Sequence, residues 1–268
     1  MPTEITQSAY GEWRTAAAST GLAVTTTRKT VALPKGTEFI RLIPRNFSTA
    51  VVVICRHNPW LDVLKTTDAL ATATDYSENA QDGDTATTVL MNSFDTAANN
   101  NYLYVGSHLP FAGVNVTIGN TNSIASVLTV NYWNGAWVTT GATDGTIATG
   151  FTFGQSGLVT WAVPADWLVG TLRAIVGAGT GAAIPHQNET LYWTRWQVSV
   201  AFDASVTATE FTALNRSTSG IEIPSTFDHS QKAHRGFKGF GAVEAVTDAG
   251  TANLIINCLT MQPNGKFS

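Results

Sequence analysis

The chain has 268 residues, a formal net charge of −4 at pH 7 and a sequence pI near 5.7. Its Lys and Arg residues are scattered singly, which excludes the basic stripe of a nucleic-acid-binding protein. Charged residues make up only 13% of the chain, against roughly 25% in an average globular protein. Such a weakly charged surface favours a protein partly covered by copies of itself or by partner proteins.

The first hundred residues are predicted to be rich in β-strands. Runs of apolar and β-branched residues are separated by turn signals such as Pro34-Lys35-Gly36 and Pro44-Arg45-Asn46. The runs fall at Leu22–Leu33, Glu38–Ile43, Thr49–Arg56, Trp60–Leu64 and Thr85–Met91. We expect the first three to form a meander, with the continuously apolar run at Thr49–Arg56 buried on both faces.

The middle of the chain shows short strands at regular spacing and no helical apolar stripe. They are predicted at Tyr102–Val105, Val114–Ile118, Ser126–Trp133, Trp137–Thr139, Leu158–Trp161, Leu172–Val176 and Leu191–Phe202. This pattern predicts an all-β protein, an antiparallel and jelly-roll-like β-sandwich arranged as one body or as two packed β domains.

The segment from Ser205 is predicted to be a loop-rich connection, followed by strands at Ala242–Val246 and Asn253–Met261. The last apolar run matches those near the N-terminus, so we expect it to return to the first strands. The predicted organisation is an N-terminal β region at residues 1–100, completed by residues 205–268, and a separate module at residues 101–204.

Cys55 and Cys258 each lie inside an apolar, strand-like run. Two buried, reduced thiols are therefore expected rather than a disulfide. The opening Met1–Glu4 lacks the charged and apolar blocks of a signal peptide, and the sequence contains no apolar run of 18 residues. We expect no membrane association.

The tryptophans are the most conspicuous candidates for a contact surface. Trp133 and Trp137 flank Asn134-Gly135, a signal for a type I′ hairpin that would place both indoles near one turn. Trp residues anchor interfaces and stack on sugars, and they also fill cores. Core positions are favoured for Trp161 and Trp196, whereas Trp137 is left open between core and contact surface. The predicted contact residues are Trp133, Asn134, Trp137 and Trp167.

Catalytic machinery is not expected. Gly154-Gln155-Ser156-Gly157 departs from the nucleophile-elbow pattern, and Gly177–Gly181 is not followed by a helical pattern, which favours a surface loop over a phosphate-binding loop. The acidic segment Asp75–Asp84 lacks the residue order of a calcium loop and is read as a solvated turn. The five histidines are read as surface or hydrogen-bonded loop residues. No enzyme activity, cofactor or metal site is therefore predicted.

Several short motifs resemble a β-sandwich module found in virion and tail structural proteins of tailed bacteriophages. They are Tyr102–Ser107, Pro110–Val114, Leu128–Val138 with its run Tyr132-Trp133-Asn134-Gly135-Ala136-Trp137-Val138, Asp144–Thr146, Gln155–Trp161, Pro164–Trp167 and Leu191–Trp196. The likeness covers residues 100–203. The turn before Trp137 is one residue shorter than in the module, and this chain adds about a hundred N-terminal residues.

The resemblance implies a structural protein assembled into the virion in the host cytoplasm, without a cofactor. Its implied partners are the major capsid protein or other virion proteins, and further copies of itself, as a trimer. One interpretation is a capsid decoration or cement protein in which Leu33–Arg56 and the terminal segments of the N-terminal β region serve attachment, while the module at residues 100–203 faces solvent. The other is a tail, baseplate or fibre-associated subunit whose Trp loops contact host-surface glycan. A free lectin or glycosidase is a third, less favoured class because paired carboxylates have no local signature here.

Overall fold

The structure is a computed structural model that describes residues 12–15, 21–27, 29–33, 37–50, 52–68, 70–82, 84–92, 94–176, 184–215, 221–224, 229–232 and 240–260. Almost all of the regular structure in these residues is antiparallel β-strand, which confirms the predicted all-β fold. The strands, in chain order, are β1 (Glu12–Thr15), β2 (Leu22–Thr25), β3 (Lys29–Ala32), β4 (Thr37–Arg45), β5 (Val52–Pro59), β6 (Asp62–Thr66), β7 (Thr74–Asp75), β8 (Val89–Leu90), β9 (Tyr102–Ser107), β10 (Phe111–Asn120), β11 (Leu128–Trp133), β12 (Trp137–Thr139), β13 (Thr143–Asp144), β14 (Gly157–Thr160), β15 (Val169–Gly170), β16 (Leu191–Val198), β17 (Thr207–Asn215), β18 (Ile221–Pro224), β19 (His229–Lys232), β20 (Phe240–Thr247) and β21 (Thr251–Thr260). A short α-helix, α1, spans Leu172–Val176, and a 3-10 helix spans Ala97–Asn99.

The chain divides into two compact units. Unit 1 comprises Met1–Asn58 together with Ser217–Ser268, and unit 2 comprises Pro59–Arg216. Unit 2 is thus inserted in the sequence of unit 1. The boundaries differ from the predicted ones at residues 100 and 204, because β6, β7 and β8 pair with strands of unit 2.

The described strands of unit 1 form two sheets. One sheet runs β1-β21-β4-β19, with β2 also paired to β21, and the other runs β18-β5-β20-β3. The last strand, β21, does return to the N-terminal strands, as the matching apolar runs predict. The predicted meander is wrong, however: β2 and β4 lie in one sheet and β3 and β5 in the other, so that their partners come from the C-terminal part of the chain.

The core of unit 1 lies between these sheets and contains both cysteines. Cys55 and Cys258 are free thiols, as predicted. Burial raises the pKa of Cys55 to about 12 and that of Cys258 to about 11, which keeps both groups as inert, apolar thiols at neutral pH. Along β5, Val53 and Cys55 are buried while Val52 and Ile54 are only partly buried. The prediction that this strand is buried on both faces is therefore wrong.

Unit 2 is a sandwich of two sheets in its described residues. One sheet runs β13-β14-β10-β17-β8, and the other runs β12-β11-β16-β9-β6-β7, with β15 also paired to β16. A large aromatic and aliphatic cluster fills the space between them. Edge-to-face contacts join Trp161 to Phe111 and Trp196, with ring centroids 5.5 Å and 6.4 Å apart, a geometry that aromatic rings prefer.

Two segments of unit 2 differ from their predictions. Leu172–Val176 is the helix α1 and not a strand. Thr171 lies before it, and its side-chain Oγ1 and backbone carbonyl both accept from the N–H of Ala174, in the manner of an N-cap. The supposed loop after Ser205 contains β17, which pairs with β10 along most of its length.

The outer face of the sheet that contains β16 carries its own smaller cluster. Alternation along the strands points Leu64, Tyr104, Leu191 and Trp193 away from the main core. The residues Leu172 and Ile184 pack on them. This face therefore lies partly under α1 and the segment before β16, and it positions the features described next.

Candidate functional site

The β11–β12 hairpin brings Trp133 and Trp137 together, as predicted. The two residues pair across the strands, and their ring centroids are 5.4 Å apart in an edge-to-face arrangement. The prediction of a type I′ turn is wrong. Three residues connect the two strands, and Gly135 has a φ of +106° whereas the φ of Asn134 is not positive. A type I′ turn requires positive φ at both central residues.

Arg195 fixes the position of the Trp137 ring. Its guanidinium carbon lies 4.8 Å from the centroid of the Trp137 ring and 4.7 Å from that of Tyr102. Tyr104 contacts Trp137 from another side, with ring centroids 5.7 Å apart. Cation–π and aromatic contacts of this kind each contribute roughly 0.5–1.5 kcal/mol. They hold the indole in one orientation, with part of its surface exposed.

An exposed carboxylate secures the turn of the hairpin. Asp166 accepts hydrogen bonds from Asn134 Nδ2 at 2.9 Å and from the Tyr132 hydroxyl at 3.0 Å. These two bonds lower the pKa of Asp166 from its ordinary value, so the carboxylate stays ionised at neutral pH. The partly buried Asn134 thus stabilises the turn through its hydrogen bond to Asp166, and it is also a candidate contact residue.

An apolar side chain continues this surface on the neighbouring segment. The backbone N–H of Leu168 donates to the carbonyl of Trp133, and Leu168 is 50% exposed. We call the set Trp133, Asn134, Trp137 and Leu168 the Trp surface. Grouped, ordered and partly exposed apolar side chains are typical of a surface that another protein covers.

Trp161, Trp167 and Trp196 lie in the core of unit 2. Trp161 and Trp196 are buried, as predicted. Trp167 was predicted to be a contact residue, and this is wrong: it is 6% exposed, packs on Phe111 and Tyr192, and donates its indole N–H to the carbonyl of Trp193. Nothing in the sequence indicated that Trp167 is buried, because its neighbours Asp166 and Leu168 are exposed. The Trp167 side chain points inward between them.

The substitution Trp137→Ala is expected to lower the free energy of unfolding by about 1–2 kcal/mol, less than the ~3–5 kcal/mol of a fully buried tryptophan, because the ring is only partly buried. Urea denaturation monitored by circular dichroism measures this change in the free energy of unfolding. The neighbouring Val138→Ala, at a residue that is 36% exposed, should cost less than about 0.5 kcal/mol. A loss above 3 kcal/mol for Trp137→Ala would assign the ring to the core.

A second feature lies on the same sheet face, around His186. The imidazole Nδ1 is 2.7 Å from Glu189 Oε1 and 3.9 Å from Asp62 Oδ2, and Nε2 is 2.9 Å from Asp75 Oδ2. His186 is thus a hydrogen-bonded loop residue, as expected, but it is not isolated. We call these four residues the His186 cluster. Sequence reasoning missed it because Asp62 and His186 lie more than a hundred residues apart.

Each member of the His186 cluster is held by its own element. Asp62 begins β6 and its side chain is 2% exposed, whereas Asp75 ends β7. His186 lies in a turn with φ +55°, where its carbonyl accepts from the N–H of Glu189. Oδ1 of Asp75 also accepts from the N–H and hydroxyl of Ser77. Burial alone would raise the pKa of Asp75, but the hydrogen bonds from His186 and Ser77 hold it well below its usual range.

The other candidates from the sequence have local roles or lie outside the described residues. Asp82 and Asp84 accept hydrogen bonds from the backbone N–H groups of Asp84 and Ala86, as in a solvated turn. Gly177–Gly181 lies outside the described residues. Within the part of the chain that the structure describes, no helix has the length and apolar character needed to span a membrane.

The fold and the site define the chain as an all-β protein with an ordered aromatic contact surface and a histidine–carboxylate cluster. A scan against known protein-family models finds no match, and no curated protein matches the sequence.

Proposed function

We propose that this chain is a structural component of a tailed-bacteriophage virion, acting as a capsid decoration or cement protein. The observation that carries the proposal is the Trp surface. Arg195 fixes the Trp137 ring and Asp166 fixes Asn134 before any partner binds, and the apolar Leu168 remains half exposed. A preorganised surface loses little side-chain entropy when it is covered, which favours a protein contact.

Two further observations support the proposal. The residues that resemble the phage module, 100–203, all fall within the inserted unit 2, so the likeness coincides with one folded body. The chain also carries few charged residues. A subunit held by many repeated contacts gains its attachment from avidity, and each contact can remain weak and largely uncharged.

The geometry of the Trp surface favours a contact with another protein, as in a capsid decoration protein, over the binding of a host-surface glycan. A sugar stacks on an open ring face, whereas the Arg195 guanidinium lies over the Trp137 ring and Trp133 meets the same residue edge-to-face. We therefore propose that this surface of unit 2, which the resemblance leaves facing solvent, contacts another protein subunit of the particle, either the major capsid protein or a second copy of this chain.

The test is the copy number of the chain in purified particles, measured by quantitative mass spectrometry against the major capsid protein. We expect hundreds of copies per particle. Introducing Leu168→Lys should reduce that number at least tenfold, because a charge in an apolar contact is poorly tolerated. The matched control is Val127→Lys, at an exposed valine outside the Trp surface, which should leave the number unchanged.

Other results of the copy-number experiment would assign the chain to a different place in the particle or the contact to a different surface. A count of a few to a few dozen would move it to the tail, baseplate or a fibre and make host-surface binding the leading function. An unchanged count for Leu168→Lys would remove the Trp surface from the contact. Deleting residues 1–30 is a poorer test of attachment by unit 1, because the deletion removes β1 and β2 from the sheet built on β21.

A further inference from the structure

We infer that Asp62, His186 and Glu189 form a binding site for a divalent transition-metal cation, with Asp75 as the residue that positions the imidazole. The inference does not depend on the proposed virion role. It rests on the geometry of the His186 cluster and on the combination of imidazole and carboxylate ligands.

The hydrogen bond to Asp75 settles which nitrogen of His186 carries a proton. An ionised carboxylate only accepts, so Nε2 must donate to Asp75 Oδ2 across their 2.9 Å separation. In the neutral imidazole Nδ1 is then an acceptor, yet it faces the carboxylate oxygens of Glu189 and Asp62. Either a second proton or a cation must lie between Nδ1 and these oxygens.

The arrangement matches the one that proteins use to prepare a histidine for a metal. A ligating imidazole commonly donates its other N–H to a carboxylate, which fixes the tautomer and makes the ligating nitrogen a better donor. Here Asp75 takes that role, while its second oxygen is held by Ser77. The lone pair of Nδ1 is thereby directed toward Asp62 and Glu189.

The distances among the three ligand atoms suit one ion. Nδ1 of His186 and one oxygen from each of Asp62 and Glu189 all lie within 4.8 Å of one another. Atoms bound to a common ion at about 2.1 Å lie roughly 3.0–3.4 Å apart. The 2.7 Å contact to Glu189 would lengthen and the 3.9 Å separation from Asp62 would shorten on binding, changes that side-chain rotations can supply.

The ligand set selects the class of cation. Imidazole nitrogen favours Zn²⁺ and its neighbours in the first transition row, whereas sites made only of oxygen favour Mg²⁺ and Ca²⁺. One nitrogen and two carboxylates therefore indicate Zn²⁺, with water completing the coordination. Because β6 supplies Asp62 and the turn before β16 supplies the other two ligands, the bound ion would fasten that turn to the sheet.

The experiment uses the whole chain, without a histidine tag, after dialysis against EDTA. Calorimetric titration with ZnCl₂ should show saturable binding of one ion, and the Tm should rise with zinc concentration because the ion binds only the folded protein. Titration with CaCl₂ should give binding at least tenfold weaker. Absence of saturable zinc binding, or equal affinity for calcium, would overturn the inference.

Variants assign the binding to these residues. His186→Ala and Glu189→Gln should each weaken zinc affinity about 100-fold, and Asp75→Asn about tenfold, in keeping with the 10–100-fold effect of an orienting partner. The matched control Asp82→Asn removes an exposed acid of a neighbouring turn and should bind zinc like the wild type. Each variant is compared by its circular dichroism in EDTA. If folded His186→Ala and Glu189→Gln bind zinc as tightly as the wild type, the cluster is an ion-pair network only.

Discussion

Replacing Trp196 with alanine is expected to lower the free energy of unfolding of unit 2 by about 3–5 kcal/mol, the range for deleting a buried tryptophan. Trp196 is fully buried. Its ring meets Trp161 and Phe211 edge-to-face at 6.4 Å and 6.2 Å, and its indole N–H donates to Thr194 Oγ1 at 3.0 Å. The alanine variant loses all of these contacts and leaves a cavity between the sheets that rigid neighbours cannot fill.

Urea denaturation measures this loss, with the linear slope showing whether unfolding remains two-state. The matched comparison is Trp133→Ala, because Trp133 is a partly exposed indole on the adjacent strand. It should lose at most about half as much stability. Equal losses for the two variants would mean that burial between the sheets does not dominate the contribution of Trp196.

The substitution Gly106→Ala is expected to destabilise unit 2 by about 2–3 kcal/mol, the cost of overpacking a rigid site. A Cβ on Gly106 would lie 2.5 Å from Cε3 and Cζ3 of Trp193, its partner across β9 and β16. The indole cannot easily withdraw, because it is fully buried and its N–H donates to the Gly170 carbonyl at 3.1 Å. Glycine at residue 106 is therefore required by the tryptophan opposite it.

A double-mutant cycle isolates that relation. In a Trp193→Ala background the added methyl group fills vacated space, so Gly106→Ala should become neutral or slightly stabilising. The coupling energy between the two sites should then be about 2–3 kcal/mol, at the upper end of values for residues in contact. Additive losses would show that Gly106 is needed for some reason other than the Trp193 ring.

The local sequence pattern predicted most strands of the sandwich. It failed for a short apolar run that fits two structures and for a strand whose pairing shifts register. Leu172–Val176 is a short apolar run, and such runs fit a strand or a buried helical turn equally well; the cap at Thr171 was the available signal. The pairing of β17 with β10 shifts register three times, between Phe111 and Gly113, between Thr117 and Ile118, and between Ile118 and Asn120. Such bulges break the two-residue alternation by which a strand is recognised.

Contacts between residues that lie far apart in the sequence could not be predicted from the local sequence pattern. The hairpin Trp133–Trp137 was predictable because its members lie four residues apart. The stack of Arg195 on Trp137 and the His186 cluster both join residues from separate strands or loops. The inward turn of Trp167 depends on packing against Phe111 and Tyr192, which no local pattern encodes.

The discontinuity of unit 1 sets an order of events during synthesis. A ribosome completes residues 59–216 well before it reaches β21, the strand that pairs with β1, β2 and β4. Unit 2 can therefore fold on the emerging chain while the N-terminal strands still lack their partner. Unpaired strand edges recruit other chains, so the N-terminal strands are exposed to misassembly from their own synthesis until β21 emerges, and rapid synthesis of residues 59–260 would shorten that interval.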